Sequence, residues 1–200
     1  ITLYPYATQP TGEFGIQGEL VFTIPKNTFL GDDETTISLN YSSAHGLDTV
    51  ETGFYRYAAE FMWSDNPRDL YFRDVNLEIT RKWGRSFKTT LSLIHLEYNQ
   101  DVVERLAAAR ELKYGIITAN FMVLELWWAV KRGQALRTEF QYMTTSYEDG
   151  TRRTLQNGDW VMALAEYSVS PSWFFTVFSE LNFNRRNETN TADVDAVVYP

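Results

Sequence analysis

Carboxylates recur at alternate positions through this chain, and they are the side chains best suited to hold a cation, move a proton or anchor a salt-bridged interior. Glu19, Asn40, Glu78, Thr90, Glu125, Glu139, Glu166 and Glu180 each fall opposite an apolar stripe, with Lys88 and Arg137 as cationic partners. Alternate residues of a strand share a face. A row of Glu and Asp along a water-filled channel would favour cations. The same row paired with Lys88 and Arg137 would line a closed interior, since a buried carboxylate is costly unless compensated. Spacing fixes which way these groups face but not how deep they lie, and the compensated interior is the favoured reading.

Other chemistry is thinly represented. There is no cysteine, which removes disulfides and thiolate metal sites, and there are two histidines. His45 falls in a connection and His95 near a strand end, neither within a nucleophile motif; a hydrolase would need Ser or Asp converging on His95 near Glu97. Two lone histidines make no metal site. The acidic runs Gly31-Asp32-Asp33-Glu34 and Tyr147-Glu148-Asp149-Gly150 do not fit the twelve-residue calcium loop and read as solvated turns. No catalytic, cofactor or metal residue is assigned, and a non-enzymatic role is expected. The net charge of −8 argues against nucleic acid as a partner.

The elements that must position these groups are strands. The clearest stretch is a hairpin, 159–184, whose arms meet at Ser170-Pro171-Ser172. Val161, Ala163, Ala165, Tyr167 and Val169 alternate with Trp160, Met162, Leu164, Glu166 and Ser168, and the second arm alternates likewise. The whole chain yields eight strands, at about 15–25, 35–43, 70–83, 87–98, 116–131, 134–147, 159–170 and 172–184, in a single domain over residues 1–200. Several are longer than the usual five or six residues. Both faces are apolar at 94–98, where a bulge is expected. The stretch 57–63 reads as an irregular or helical piece, 103–112 has helical composition, and 194–199 reads as a strand fragment.

Connections alternate short and long, as in outer-membrane barrels with short periplasmic turns and longer outside loops. Thirteen Phe, twelve Tyr and six Trp accompany a mildly polar mean hydropathy, the balance expected when only every second residue meets lipid. Trp83, Trp127, Trp128, Trp160 and Trp173 fall near strand ends or turns. Trp83, Trp128 and Trp173 are read as lipid-interface aromatics, with a sugar-stacking platform as the rival. Lumen-lining residues would then be Glu19, Asn40, Glu78, Lys88, Glu125, Arg137, Glu139, Glu166 and Glu180. The sequon at Asn187-Glu188-Thr189 has no force in a bacterial barrel. With the short turns periplasmic, eight strands begin and end outside, so the expectation is an antiparallel up-and-down transmembrane β-barrel that is partial, a piece of a larger one. The absence of a signal peptide and an initiator Met fits that expectation.

Several stretches carry a resemblance. Leu136-Arg137-Thr138-Glu139-Phe140-Gln141-Tyr142, Gly158-Asp159-Trp160, Glu166-Tyr167 and Pro171-Ser172-Trp173-Phe174-Phe175, with Asn99 to Glu104 and Asn40-Tyr41-Ser42, resemble an uncharacterised family of Bacteroidota outer-membrane β-barrels over about residues 15–184. The resemblance implies an outer-membrane location and a longer complete chain, and brings no activity and no cofactor. The functional expectation is therefore a non-enzymatic pore or structural subunit, in contact with outer-membrane lipid and other outer-membrane proteins. Two alternatives stand beside it. One is a soluble β-sandwich or jelly-roll carbohydrate-binding module, which would bury its apolar stripes between two sheets. The other is a barrel-embedded hydrolase.

Overall fold

β-Branched and aromatic residues at every second position pack well on a pleated surface, and that pattern builds nearly all of this molecule. The computed structural model describes residues 6–9, 12–28, 31–51, 55–59, 70–103, 115–147, 159–183, 185–187, 190–194 and 197–199. In chain order the elements are β1 (Glu13–Ile24), β2 (Thr35–Glu51), β3 (Tyr55–Ala59), β4 (Leu70–Trp83), β5 (Phe87–Asn99), the single helical turn α1 (Gln100–Val103), β6 (Ile116–Lys131), β7 (Gln134–Tyr147), β8 (Asp159–Val169), β9 (Trp173–Phe183), β10 (Arg185–Asn187), β11 (Asn190–Val194) and β12 (Val197–Tyr199).

Eight long strands form one antiparallel meander in the order β1-β2-β4-β5-β6-β7-β8-β9, with β12 added beside β9, β3 paired to the far end of β2, and β10-β11 a separate two-stranded piece. The short turns place glycine where the backbone needs positive φ, +69° at Gly84 and +74° at Gly133. Register is shared across the whole sheet. One rung reads Leu20, Leu39, Leu77, Leu93, Met122, Tyr142, Val161 and Leu181, each cross-strand partner of the next. A second rung, on the opposite face, reads Lys88, Trp127, Arg137, Glu166 and Thr176.

The core sits where alternation alone would not place it. Leu96, Ala119, Phe121 and Met143 are buried together, with Phe72, Ile94 and Trp160 packed against them. These residues belong to the face that carries the charges further along the same strands. Near the ends that lead into the long connections, that face turns apolar and becomes the buried one. The doubly apolar stretch 94–98 has this cause: β5 runs through it with no register shift against β4 or β6, and the expected bulge is absent. Polar groups close this end. Asn99 donates its side-chain amide to the Leu70 carbonyl at 2.9 Å, and the Gly115 N–H donates to Asp101 at 2.8 Å.

Two connections differ from expectation. β2 runs on to Glu51 through a register shift between Ala44 and His45, and its extension pairs with β3, which takes up 57–59 of the stretch read as irregular. The rest of that stretch, 60–63, lies outside the described residues. So do 104–112 of the helical segment, of which α1 holds only Val103, and the acidic run after Tyr147. The acidic run at Asp33 serves the neighbouring turn, where Asp33 accepts the Gly84 N–H at 2.8 Å.

The expected transmembrane β-barrel, whole or partial, is corrected by the topology. Closing a barrel requires hydrogen bonds between its first and last strands. Among the described residues β1 pairs only with β2 and β12 only with β9, so the sheet is open at both ends. A lumen, a pore, contact with outer-membrane lipid or proteins and an outer-membrane location all rested on the barrel reading and on the barrel family the sequence resembles, and they are corrected with it. No helix among the described residues is long and apolar enough to cross a membrane. With two edges and a face that needs cover, the open sheet stands nearer the sandwich alternative than the barrel.

Candidate functional site

The charged face is assembled by β5, β6, β7 and β8. Thr90, Glu125 and Glu139 follow one another across β5, β6 and β7, one rung from Lys88, Trp127, Arg137 and Glu166. Two carboxylates directly opposite one another on adjacent strands repel, and Arg137 lies where it can offset that repulsion. Its Nε donates to Glu125 at 2.8 Å and its Nη2 donates to Glu139. Lys88 Nζ stands 3.9 Å from the other oxygen of Glu125, and Gln141 donates its amide to the second oxygen of Glu139. All four carboxylate oxygens therefore have partners. Side-chain exposure is 38% for Arg137, 24% for Glu125 and 13% for Glu139, so the cluster is half-sunk in the sheet surface. The Glu125 hydrogen bond raises the Arg137 pKa; burial opposes this, and the charges of Glu125, Glu139 and Glu166 add to it.

Trp127 stands between Lys88 and Arg137 on this face, half-buried. On its other side a cleft of about 520 Å³ opens toward the short turns, with Trp127, Lys131, Gln134 and Ser168 among its walls. A cleft of that size fits a small ligand. Chemically the region offers an aromatic ring, a cation pair and a set of ordered carboxylate and amide acceptors, with no nucleophile aligned to a base.

The nine residues assigned to a lumen do share this face. Glu19 is opposite Asn40, Glu78 is opposite Ser38 and Ser92, and Glu180 is opposite Met162. Only Lys88, Glu125, Arg137, Glu139 and Glu166 come together as a cluster; Glu19 receives the Ser38 hydroxyl at 3.3 Å at the β1 edge. Trp83, Trp128 and Trp173 lie on the opposite face, 48%, 50% and 64% exposed. Trp83 donates to Thr89 at 3.0 Å beneath the Arg81 guanidinium, and Trp173 stacks on Phe175. Sequence reading named Trp127 among the aromatics near strand ends but gave it no site role. The signal that separates them is adjacency: Trp127 and Trp128 are consecutive on a strand and must face opposite ways.

Neither histidine joins the carboxylates. His95 Nδ1 is 2.8 Å from Asn120 Oδ1, Glu97 is taken by Arg73 at 2.8 Å, and no three metal-ligating side chains cluster among the described residues. The expected route to a hydrolase, Ser or Asp converging on His95, is not the arrangement found. His45 is 1% exposed, and neither ring nitrogen has a hydrogen-bond partner among the described residues. Burial, with the Arg73 charge second, lowers its pKa below the ordinary 6.5. A cation whose pKa is lower folded than unfolded lets the unfolded chain take the proton first, so stability falls as pH drops through the ordinary value and is flat above it. Urea unfolding midpoints should therefore decline between about pH 7.5 and pH 5.5, and His45→Gln should flatten that decline.

The profile of a family of unknown function (DUF6029) matches residues 1–197. The outer-membrane barrel family that the sequence resembled is corrected on two findings: the matching family is one of unknown function, and the sheet of the described residues is not closed into a barrel. No curated protein and no solved structure matches the chain.

Proposed function

The chain belongs to that family, and we propose that it is a non-enzymatic binding module taking an oligosaccharide on its charged face. One observation carries the reading: Trp127 forms a wall of the 520 Å³ cleft, stands directly beside Arg137 and is one rung from Glu125 and Glu139. A pyranose ring offers an apolar face to an aromatic side chain and a rim of hydroxyls to charged acceptors and donors. The side chains here are set out in that order, ring first and polar groups beside it. Because every oxygen of Glu125 and Glu139 is already engaged, these groups are held in fixed orientation, which lowers the entropic cost of binding.

Carboxylates outnumber cations on this face, so neutral and amino-sugar oligomers suit it better than acidic glycans. Titration calorimetry with glucose-, mannose- and glucosamine-based oligosaccharides should find binding by at least one class. Trp127→Ala should weaken it by about tenfold or more, the loss of roughly 1.4 kcal/mol. Trp128→Ala, one residue away on the other face, should leave it unchanged. Absence of binding across the set, or equal loss with both variants, would reject the site. Release of new reducing ends from the bound sugar would reject the non-enzymatic half of the proposal.

A further inference from the structure

A strand at the edge of a sheet presents a row of unpaired N–H and C=O groups, and such edges are ordinarily blunted by Lys, Pro, a bulge or a covering strand. β1 carries none of these. Between Glu13 and Ile24 there is no Pro, Lys or Arg, and its ladder with β2 runs from end to end without a register shift. Among the described residues its outer edge has no partner. Its side chains are exposed on both faces, Leu20 71% and Phe22 64% on the apolar face and Val21 61% on the charged one. The opposite edge is guarded in part, because β12 pairs with Glu180, Leu181 and Asn182 of β9.

We propose that the β1 edge pairs antiparallel with β1 of a second copy, about a two-fold axis perpendicular to the sheet, with Leu20 opposite Leu20. Such an axis joins the two sheets edge to edge and keeps the apolar face of each copy on the same side. The register follows from the side chains. Centred on Leu20, each Phe22 lies opposite Gly18 of the other copy, and each Glu19 lies opposite Val21. A Cβ at Gly18 would meet nothing within 4 Å, so this glycine leaves open space on the apolar face. An aromatic ring laid over an edge glycine from the neighbouring strand fills such a space, and here the two-fold axis makes it happen twice. Centring on Glu19 would set two carboxylates directly opposite one another, which is destabilising. Centring on Gly18 would set two glycines opposite and leave the space empty. Centring on Val21 would shorten the ladder, because Pro25 has no N–H to continue it. The chosen register pairs Ile16 to Ile24 of both copies and adds about eight to ten backbone hydrogen bonds. The charged cluster on β5 to β8 lies away from this edge, so the inference does not depend on the ligand proposed for it.

The chain has no cysteine of its own, so a single introduced one reports the contact. Leu20→Cys should give a disulfide-linked dimer under mild air oxidation, since directly opposed Cα atoms lie about 4.5–5.5 Å apart, within the roughly 7 Å that a disulfide spans. Gly18→Cys alone should not, because its counterpart lies about 14 Å away along the edge; mixed with Phe22→Cys it should. Size-exclusion chromatography with light scattering should give about twice 23.2 kDa for the wild type. Leu20→Lys sets two ammonium groups opposite one another at an exposed position, and should give the single-chain mass with the far-ultraviolet β signal unchanged. Mixing Leu20→Lys with Leu20→Glu should restore the double mass. A monomeric wild type whose Leu20→Cys variant does not cross-link would overturn the proposal. So would self-cross-linking of Gly18→Cys in place of Leu20→Cys. An assembly that Leu20→Lys leaves intact would place the contact elsewhere, and would overturn it too.

Discussion

Phe121→Ala is expected to lower the unfolding free energy by about 3–4 kcal/mol, the usual cost of deleting a buried aromatic ring. Phe121 is 7% exposed and packs with Leu96, Ala119 and Met143. In the described part of the molecule this is the cluster where side chains from β5, β6 and β7 meet away from water. The cavity left behind is walled by strands that the ladder holds in place, so it cannot collapse cheaply. Phe174→Ala removes the same ring at a position 68% exposed and should change stability by only about 0.5 kcal/mol. Urea denaturation of the two variants measures the difference. Equal costs would mean that the cluster is not the core.

The second large effect is expected at Arg137. Glu125 and Glu139 are direct cross-strand partners and share its guanidinium. Arg137→Met keeps most of the aliphatic stem and removes the charge, leaving two carboxylates face to face. Breaking a fully buried pair costs about 3–5 kcal/mol. With Arg137 38% exposed, water screens part of that, and about 1–3 kcal/mol is the expected loss. Adding Glu125→Gln to Arg137→Met should recover more than half of it, because the second substitution removes the repulsion that the first exposed. A double-mutant cycle reads this coupling directly. If the two substitutions simply add, Arg137 acts through packing and not through charge. Oligosaccharide affinity should fall alongside in Arg137→Met, since Glu139 then loses the contact that orients it.

Loss of Trp127 and loss of Arg137 probe the same face in different ways. The first removes a surface on which a ring can rest; the second unsettles the groups around it. Together with the pH response of His45, they address two separate regions of the sheet: the charged middle and the polar end.

Much of this architecture is written in period two. Leu136 to Tyr142 alternates without a break, so the backbone must be extended and Arg137, Glu139 and Gln141 must share a face whatever else happens. The same logic separates Trp127 from Trp128 and sets the eight long antiparallel strands. Composition and the missing cysteines settle in the same way that no disulfide braces the chain. What periodicity cannot carry is any relation between strands that are far apart in sequence. Whether β1 finds a partner beyond β2 depends on accumulated twist and on which edges meet, not on the residues of β1, and among the described residues that edge is open. Nor does period two say how burial varies along a strand. Phe121 and Glu125 point the same way on β6, yet one lies in the core and the other in a salt-bridged cluster, because Phe121 meets Leu96, Ala119 and Met143 across the sheet while Glu125 meets Arg137 and Glu139. The facing of each side chain is a local property, determined by the sequence alone; its depth and its neighbours across the sheet are collective properties, and only the folded sheet decides them.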